Sequence, residues 1–368
     1  MPAYRMTLTM LSPVHIGTGE EIEPTEYVVR ESDGAIFFHA VDFSKFVAGL
    51  DGRRRAEFDQ AIDRGGTVHI RRFLADHFDP RRHEAWRSNA NPDLLDGYRE
   101  GLKSDSSQLI VHTMTRDPAT GRAFLPGSSI KGAIRTAWLS HLAGQYRGPV
   151  NLDDIVPRDF EPEVLGYMDR SGHHPRAEIR ADPFRALQVG DALLCEVSNT
   201  VDPVRIRRRV ERSSVSDPVG IQMYYDTTFG LVDGEEIVAA GRLIVNTRLA
   251  ETPAVHPRGN WKTCVAGGLA AEDLLKACNA FYLPKMRQEH EAFFARDSRL
   301  SIMGVKLISL AEKMGDGEAL IRLGRFSHFE CVTVDRFSRQ PRRGAGNTRS
   351  LSCGEVPLGW ARLRLDPA

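Results

Sequence analysis

The sequence predicts an α+β protein of about two domains, each a sheet backed by helices on one face. Three observations carry this. The chain has 368 residues, more than one domain of roughly 100–200 residues. Segments of strand period and of helix period interleave along both halves. Two polar stretches, at about 51–108 and about 144–184, interrupt the apolar pattern of the first half. The expected domains are 1–200, with those two insertions, and 201–368.

The chain opens on a clean alternation. Tyr4, Met6, Leu8 and Met10 fall on one side and Arg5, Thr7 and Thr9 on the other, as in a strand with one buried face. Ser12-Pro13 breaks it, and Gly17-Thr18-Gly19 follows Val14-His15-Ile16. Segments 27–29 and 35–38 bracket Asp33-Gly34, a hairpin signal. Residues 51–108 are rich in Arg, Asp and His with few apolar runs, and read as a partly helical insertion rather than core. A short strand at 109–112 leads into a loop and an amphipathic helix. Residues 144–184 are again polar and Pro-rich, an insertion or linker, and a strand around 186–197 closes the first domain. In the second half, strands are expected near 219–225 and 237–249, then a helix from about 270 that Pro284 ends or kinks. A strand at 319–325 precedes a Gly- and Arg-rich segment, and a last strand covers 358–363.

Composition bounds the function. Lys plus Arg number 49, as do Asp plus Glu, with 41% hydrophobic and 27% charged residues. These are ordinary soluble values, and they exclude a disordered tail protein, a collagen-like chain and a disulfide mini-scaffold. Zero net charge argues against coating nucleic acid by charge alone, while leaving room for local basic surfaces. The N-terminus lacks a signal-peptide block, and no stretch approaches the ~18 apolar residues of a membrane span. A cytoplasmic protein is expected. The five cysteines, at 195, 264, 278, 331 and 353, form no C-x-x-C pair and read as reduced thiols. His69, His77, His83, His173 and His174 lack zinc-finger spacing and read as surface residues. No metal or cofactor is expected.

The most informative segment is Pro126-Gly127-Ser128-Ser129-Ile130-Lys131-Gly132-Ala133-Ile134-Arg135. Ile130, Ala133, Ile134, Ala137, Trp138 and Leu142 recur with helical spacing. Ser128 or Ser129 stands where an N-cap belongs, and Gly127 lets the backbone enter the cap closely. Lys131 and Arg135 lie four apart on a face that is not the apolar one. A first helical turn offers unpaired N–H groups and partial positive charge, so two hydroxyls, a Lys and an Arg there suit a phosphate. Gly132 after Lys131 departs from a nucleotide P-loop, which points to a nucleic-acid phosphate rather than ATP. An ordinary capped helix with a solvated basic face has the same pattern.

Between Arg322 and Arg349 lie seven arginines and no lysine, against Glu330 and Asp335. Glycines 324, 344 and 346 and the aromatics Phe326, His328, Phe329 and Phe337 accompany them. Glycine permits close backbone approach, arginine pairs with phosphate, and aromatics stack on unpaired bases. Arg342, Arg343 and Arg349 are candidate RNA contacts here. A second basic run, 205–212, holds five arginines against Glu211. A solvated face is the bland alternative for both runs.

The block Arg116-Asp117-Pro118, Gly121, Phe124-Leu125-Pro126-Gly127-Ser128-Ser129-Ile130-Lys131-Gly132 and Arg135 resembles the signature of the RAMP superfamily of CRISPR-associated proteins. The opening Pro13-Val14-His15-Ile16-Gly17-Thr18-Gly19-Glu20 is similar to the start of one branch, the Csm-type subunit five of type III-A effector complexes. Arg322-Leu323-Gly324-Arg325-Phe326-Ser327-His328-Phe329-Glu330 looks like that branch's glycine-rich loop, as does Gly346-Asn347-Thr348-Arg349-Ser350-Leu351 with Pro357-Leu358-Gly359-Trp360 after it. The resemblance implies a ferredoxin-like (RRM-like) fold in one or two copies. It implies a subunit that holds the 3′ part of the crRNA and supports crRNA maturation and antiviral defence. Its partners would be the crRNA, the backbone RAMP and small subunits, and recruited host nucleases. The matching RNA-contact positions are Ser128, Ser129, Lys131 and Arg135 in the cap, and Gly324, Arg325 and His328 in the loop. The single glycine beside Arg325 and His328, where many relatives have several, favours side-chain contact there.

Some RAMP relatives cut RNA. A metal-independent cutter needs a general base near a ribose 2′-OH. His15 is the candidate, with Lys131 as partner, although a packing role for His15 is the preferred reading. Glu20 and Glu21 could hold a metal ion, but a solvated acidic loop is preferred. The expected function is therefore a non-catalytic crRNA-binding subunit. The alternative is a crRNA-processing endoribonuclease using His15.

Overall fold

Ala3–Met10 forms the strand its alternation predicts, and Met6, Leu8 and Met10 are wholly buried. In this computed structural model the described residues are 1–104, 109–148, 150–170, 172–195, 198–209, 219–251, 254–255, 262–263, 269–334 and 346–368. The N-terminal strand pairs antiparallel with Trp360–Pro367 on one side and Val238–Val245 on the other. Glu318–Arg322 extends this first sheet beyond Trp360–Pro367. Ala192–Leu193, Phe124–Leu125 and Leu187–Val189 extend it on the other flank. Two long helices, Gly127–Gln145 and Ala271–Glu289, share its core. Ile130, Ala133, Ile134 and Ala137 face Leu274, Cys278, Phe281 and Tyr282 in one cluster. At about 1.5–3 kcal/mol per fully buried large apolar side chain, this stripe fixes the helix faces. Tyr282 also donates its hydroxyl to the Ala133 carbonyl at 3.0 Å. Pro284 does not end its helix, which runs on to Glu289. The packed face outweighs the one backbone hydrogen bond that proline removes.

The second sheet runs in the order Glu21–Ile22, Val111–His112, Val219–Thr228, Asn199–Arg208, Glu84–Ala90, Ala35–Val41, Tyr27–Ser32. Val111–His112 pairs parallel with Val219–Thr228, as Glu84–Ala90 does with Asn199–Arg208. Thr348–Ser352 joins the far end of Asn199–Arg208 antiparallel. Asp33 and Gly34 both take positive φ, 53° and 77°, the conformation that a two-residue hairpin turn needs.

Four expectations are corrected here. Residues 51–108 are not a polar appendage. Helices Gly52–Asp63, Thr67–His77 and Pro92–Gly101 cover the second sheet, and Phe58, Phe73, Leu74, Leu94, Leu95 and Tyr98 are core. Each helix carries only a narrow apolar stripe, which its Arg- and Asp-rich outer face masks in the sequence. His83 is buried against Phe46 rather than exposed. Within 144–184, Phe160, Val164, Leu165, Tyr167 and Phe184 join the first core. The expected boundary near residue 200 falls inside the strand Asn199–Arg208, and both sheets draw strands from either side of it. Among the described residues, no helix is long and apolar enough to cross a membrane.

Candidate nucleic-acid interface

The helix Gly127–Gln145 starts one residue ahead of the expected cap. Pro126 is its N-cap, and neither serine caps it. Instead the Gly127 N–H donates to the Asp191 carboxylate at 2.7 Å. A Cβ at Gly127 would lie 2.2 Å from the Val189 carbonyl oxygen, so this glycine serves chain-to-chain packing. Asp191 thus occupies the position at the helix start that an incoming phosphate would take. Lys131 donates to the Leu187 carbonyl at 2.7 Å, and burial holds its ammonium below the ordinary value, helped by Arg135 and opposed by Asp182. Arg135 is not on a free face. Its Nε donates to Glu161 at 2.7 Å, its Nη1 to Asp182 at 3.0 Å, and its guanidinium lies over the Phe184 ring. The polar stretch expected to be a linker supplies all three partners. The helix start also divides the candidate residues. Ser128 and Lys131 line a groove with Arg185, Gly190 and Arg242, whereas Ser129 faces a different cleft.

That second cleft, about 400 Å³, gathers three segments far apart in sequence. The 13–20 loop contributes His15, Gly17, Gly19 and Glu20. The signature helix contributes Ser129, Gly132 and Thr136, one turn after another along one face. The late loop contributes Gly324, Arg325 and Ser327. Gly132 leaves open space where a side chain would stand, so this helical wall is low and polar. Gly324, at φ +83°, is required by close approach, because a Cβ there would meet the His15 carbonyl oxygen at 2.0 Å. The Arg325 N–H donates to that same carbonyl at 3.1 Å. The loop is thereby pinned to the N-terminal segment, and the Arg325 side chain stays exposed at the rim, its guanidinium 5.9 Å from the Tyr225 ring centre. His112 stacks on Tyr225 at 4.4 Å, and Phe326 and His15 pack edgewise or tilted around them. Tyr225 and His112 escaped the sequence reading. The Tyr224-Tyr225-Asp226 run in a strand was the available signal.

His15 is buried, and its Nδ1 lies 2.7 Å from the Asp226 carbonyl oxygen. Burial holds its pKa below the ordinary 6.5 against the pull of Asp226. Lys131, its expected partner, points into the other groove. Glu20 lines the cleft and Glu21 lies 3.4 Å from His112 Nδ1. Among the described residues, no group of three or more His, Cys, Asp or Glu is set to hold a metal ion.

The arginine-rich segment divides sharply. Arg322 and Arg349 are buried and both donate to Glu289 Oε1, at 2.8 and 2.5 Å, while Trp360 Nε1 donates to Oε2 at 3.0 Å. Burial pushes the Glu289 carboxyl up, but the two guanidiniums outweigh it and hold the pKa at about 2. Arg349 also pairs with Glu330 at 3.1 Å, so as a candidate RNA contact it is corrected to a core residue. His328 takes φ +56° and sits half-buried beside these charges. Burial first, then Arg322, brings its pKa down to about 3, so it stays neutral. Arg342 and Arg343 lie outside the described residues, as does 210–212 of the second basic run.

The two sheets, with a glycine-walled cleft where their segments meet, define the class as a two-sheet α+β protein whose signature helix borders that cleft. The RAMP superfamily model matches residues 7–251, and the chain belongs to that superfamily. A Mycobacterium tuberculosis protein named CRISPR system Cms protein Csm5 is 24% identical over 279 residues, 70% of this chain and 69% of its own. A Streptococcus thermophilus protein of the same name is 32% identical over 141 residues, 36% of this chain and 37% of its own. A chain from a cryo-EM structure of a Csm-crRNA-target RNA ternary complex in a type III-A CRISPR-Cas system superposes with a TM-score of 0.68 at 20% identity, covering 99% of this chain and 100% of that one. The crystal structure of T. onnurineus Csm5 gives a TM-score of 0.60 at 20% identity, covering 96% and 99%.

Proposed function

We propose that this protein is a non-catalytic, crRNA-holding RAMP subunit of a type III-A Csm-type effector complex, working in the cytoplasm. It grips the 3′ part of the crRNA and supports maturation and antiviral defence. Its neighbours are the backbone RAMP and small subunits, and host nucleases are recruited to it. Each sheet with its helices is read as a ferredoxin-like (RRM-like) unit. The observation that carries the reading is the convergence of three family-like segments, 13–20, the signature helix and the 324–328 loop, on one cleft. Ser129 and Arg325 contact the RNA there, and Ser128 and Lys131 do so in the neighbouring groove. Gly127, Arg135, Gly324, His328 and Arg349 hold these walls in shape. Backbone contacts of this kind carry no base identity, so guide sequence should matter little. The buried His15, set apart from Lys131, supports the non-catalytic reading over nuclease action.

The test is the purified protein incubated with precursor crRNA in EDTA, alone and in the assembled complex. Retention of intact RNA, weakened by salt, is expected. Specific cuts that vanish in His15→Ala would overturn the reading in favour of a metal-independent endoribonuclease.

A further inference from the structure

A separate cleft, of about 410 Å³, takes no part in the site above. Its walls carry Arg81, Arg87, Arg116 and Arg122 around Trp86. The signature loop builds one wall. Gly121, at φ +69°, sits where a Cβ would come within 2.9 Å of Trp86 Cβ, and Arg116 Nη1 holds the Gly121 carbonyl at 2.9 Å. Arg116 is fixed further by Asp226 at 2.5 Å and Ser88 at 2.9 Å, and its guanidinium stacks 3.7 Å from the Trp86 ring centre. Arg122 is tethered to the Leu194 carbonyl at 2.7 Å. Arg81 and Arg87 are exposed. Among the described residues, Arg81, Arg87 and Arg122 form no ion pair, and the lining's one carboxylate, Glu84, is engaged by His39 at 2.5 Å.

From this juxtaposition we infer that the Arg81–Arg87–Arg116–Arg122 cleft is a second RNA-contact site, one that takes the phosphodiester backbone of a single strand. The inference rests on the crRNA-holding reading above and deepens it. Arginine forks match phosphate oxygens; Arg116, its charge met by Asp226, sets the shape of the wall, while Arg122 adds a charge with no ion pair among the described residues beside the two exposed guanidiniums. Trp86 has Arg116 stacked on its ring and Phe38 tilted against it at 5.4 Å, so the ring is braced within the wall and the arginines are the groups set for phosphate contact. The lining is dominated by arginine around one half-buried ring, and its one carboxylate is already engaged, which suits a polyanionic backbone. Asp226 ties the two clefts together, its carboxylate holding Arg116 and its carbonyl holding His15.

The experiment measures binding of a labelled single-stranded oligoribonucleotide to the full chain across a salt series. It compares wild type, Arg81→Ala/Arg87→Ala and Arg325→Ala, with thermal melts of each. The double variant should melt like wild type and bind about tenfold more weakly, with a log–log salt slope shallower by about 1.4 for two lost phosphate contacts. Wild-type affinity in the double variant, with loss only in Arg325→Ala, overturns the second site and leaves the first reading standing. No RNA binding by wild type breaks the first reading and this one with it. Equal binding of polyglutamate, lost in the same double variant, makes the cleft a protein-docking site and also overturns the inference.

Discussion

Arg325 and the pair Arg322 and Arg349 come from one arginine-rich segment, yet they do opposite things. Arg325 is exposed at the rim of the glycine-walled cleft, whereas the other two are buried and share the Glu289 carboxylate. Composition gave all three the same expectation. The difference is made by burial and pairing. A guanidinium withdrawn from water must meet a carboxylate and satisfy its donors, and once it has done so it has little left for a ligand. The Glu289 group ties the end of the long helix to the strands Glu318–Arg322, Thr348–Ser352 and Trp360–Pro367, and so fixes the loop from which Arg325 projects.

The sharpest way to break this comparison is to remove Glu289. Glu289→Ala leaves two buried guanidiniums and the Trp360 N–H without their acceptor and should cost about 3–5 kcal/mol in urea unfolding. A loss below about 1 kcal/mol would mean that the pair is solvated and that Arg322 and Arg349 are available after all. Acid sharpens the same point. Glu289 titrates at about 2 against an ordinary 4.5, so its stabilisation is complete above the unfolded value and drains away as pH falls through that window, about 3 kcal/mol in all. His328 acts over a higher window. Its folded pKa of about 3 lies below the ordinary 6.5, so the unfolded chain takes the proton first and stability declines as pH drops below 6.5. Melting curves against pH should therefore show two acid losses, the lower removed by Glu289→Gln and the upper by His328→Asn.

A smaller effect separates Lys131 from Arg135, which the helical spacing treats alike. Arg135→Ala strips the partner from Glu161 and Asp182 and uncovers Phe184, and should cost about 1–3 kcal/mol. Unchanged stability in that variant would return Arg135 to a solvated face. Here the limits of the sequence are clear. The N-terminal alternation, the Asp33-Gly34 turn and the stripe of the signature helix are local patterns with a fixed period, and they were legible. The partners of Arg135 come from residues 26 and 47 positions away, and Asp191 reaches Gly127 across 64. No periodicity reports such contacts. The same holds for the cleft, since its three segments could be recognised singly while their meeting depended on Gly324 docking on the His15 carbonyl.

The finest distinction concerns Arg325 itself. Truncation to alanine removes an exposed side chain whose backbone N–H still binds the His15 carbonyl, so the melting temperature should stay where it is. RNA retention in the assembled complex should fall by about tenfold, and the salt slope by about 0.7, the share of one phosphate on a single strand. Arg325→Lys restores charge without the planar fork, so it should recover the salt slope while regaining only part of the affinity. If lysine restores everything, Arg325 acts as a bare point charge. If alanine costs stability rather than affinity, Arg325 belongs with Arg322 and Arg349, and the division drawn between exposed and buried arginines fails at its simplest member.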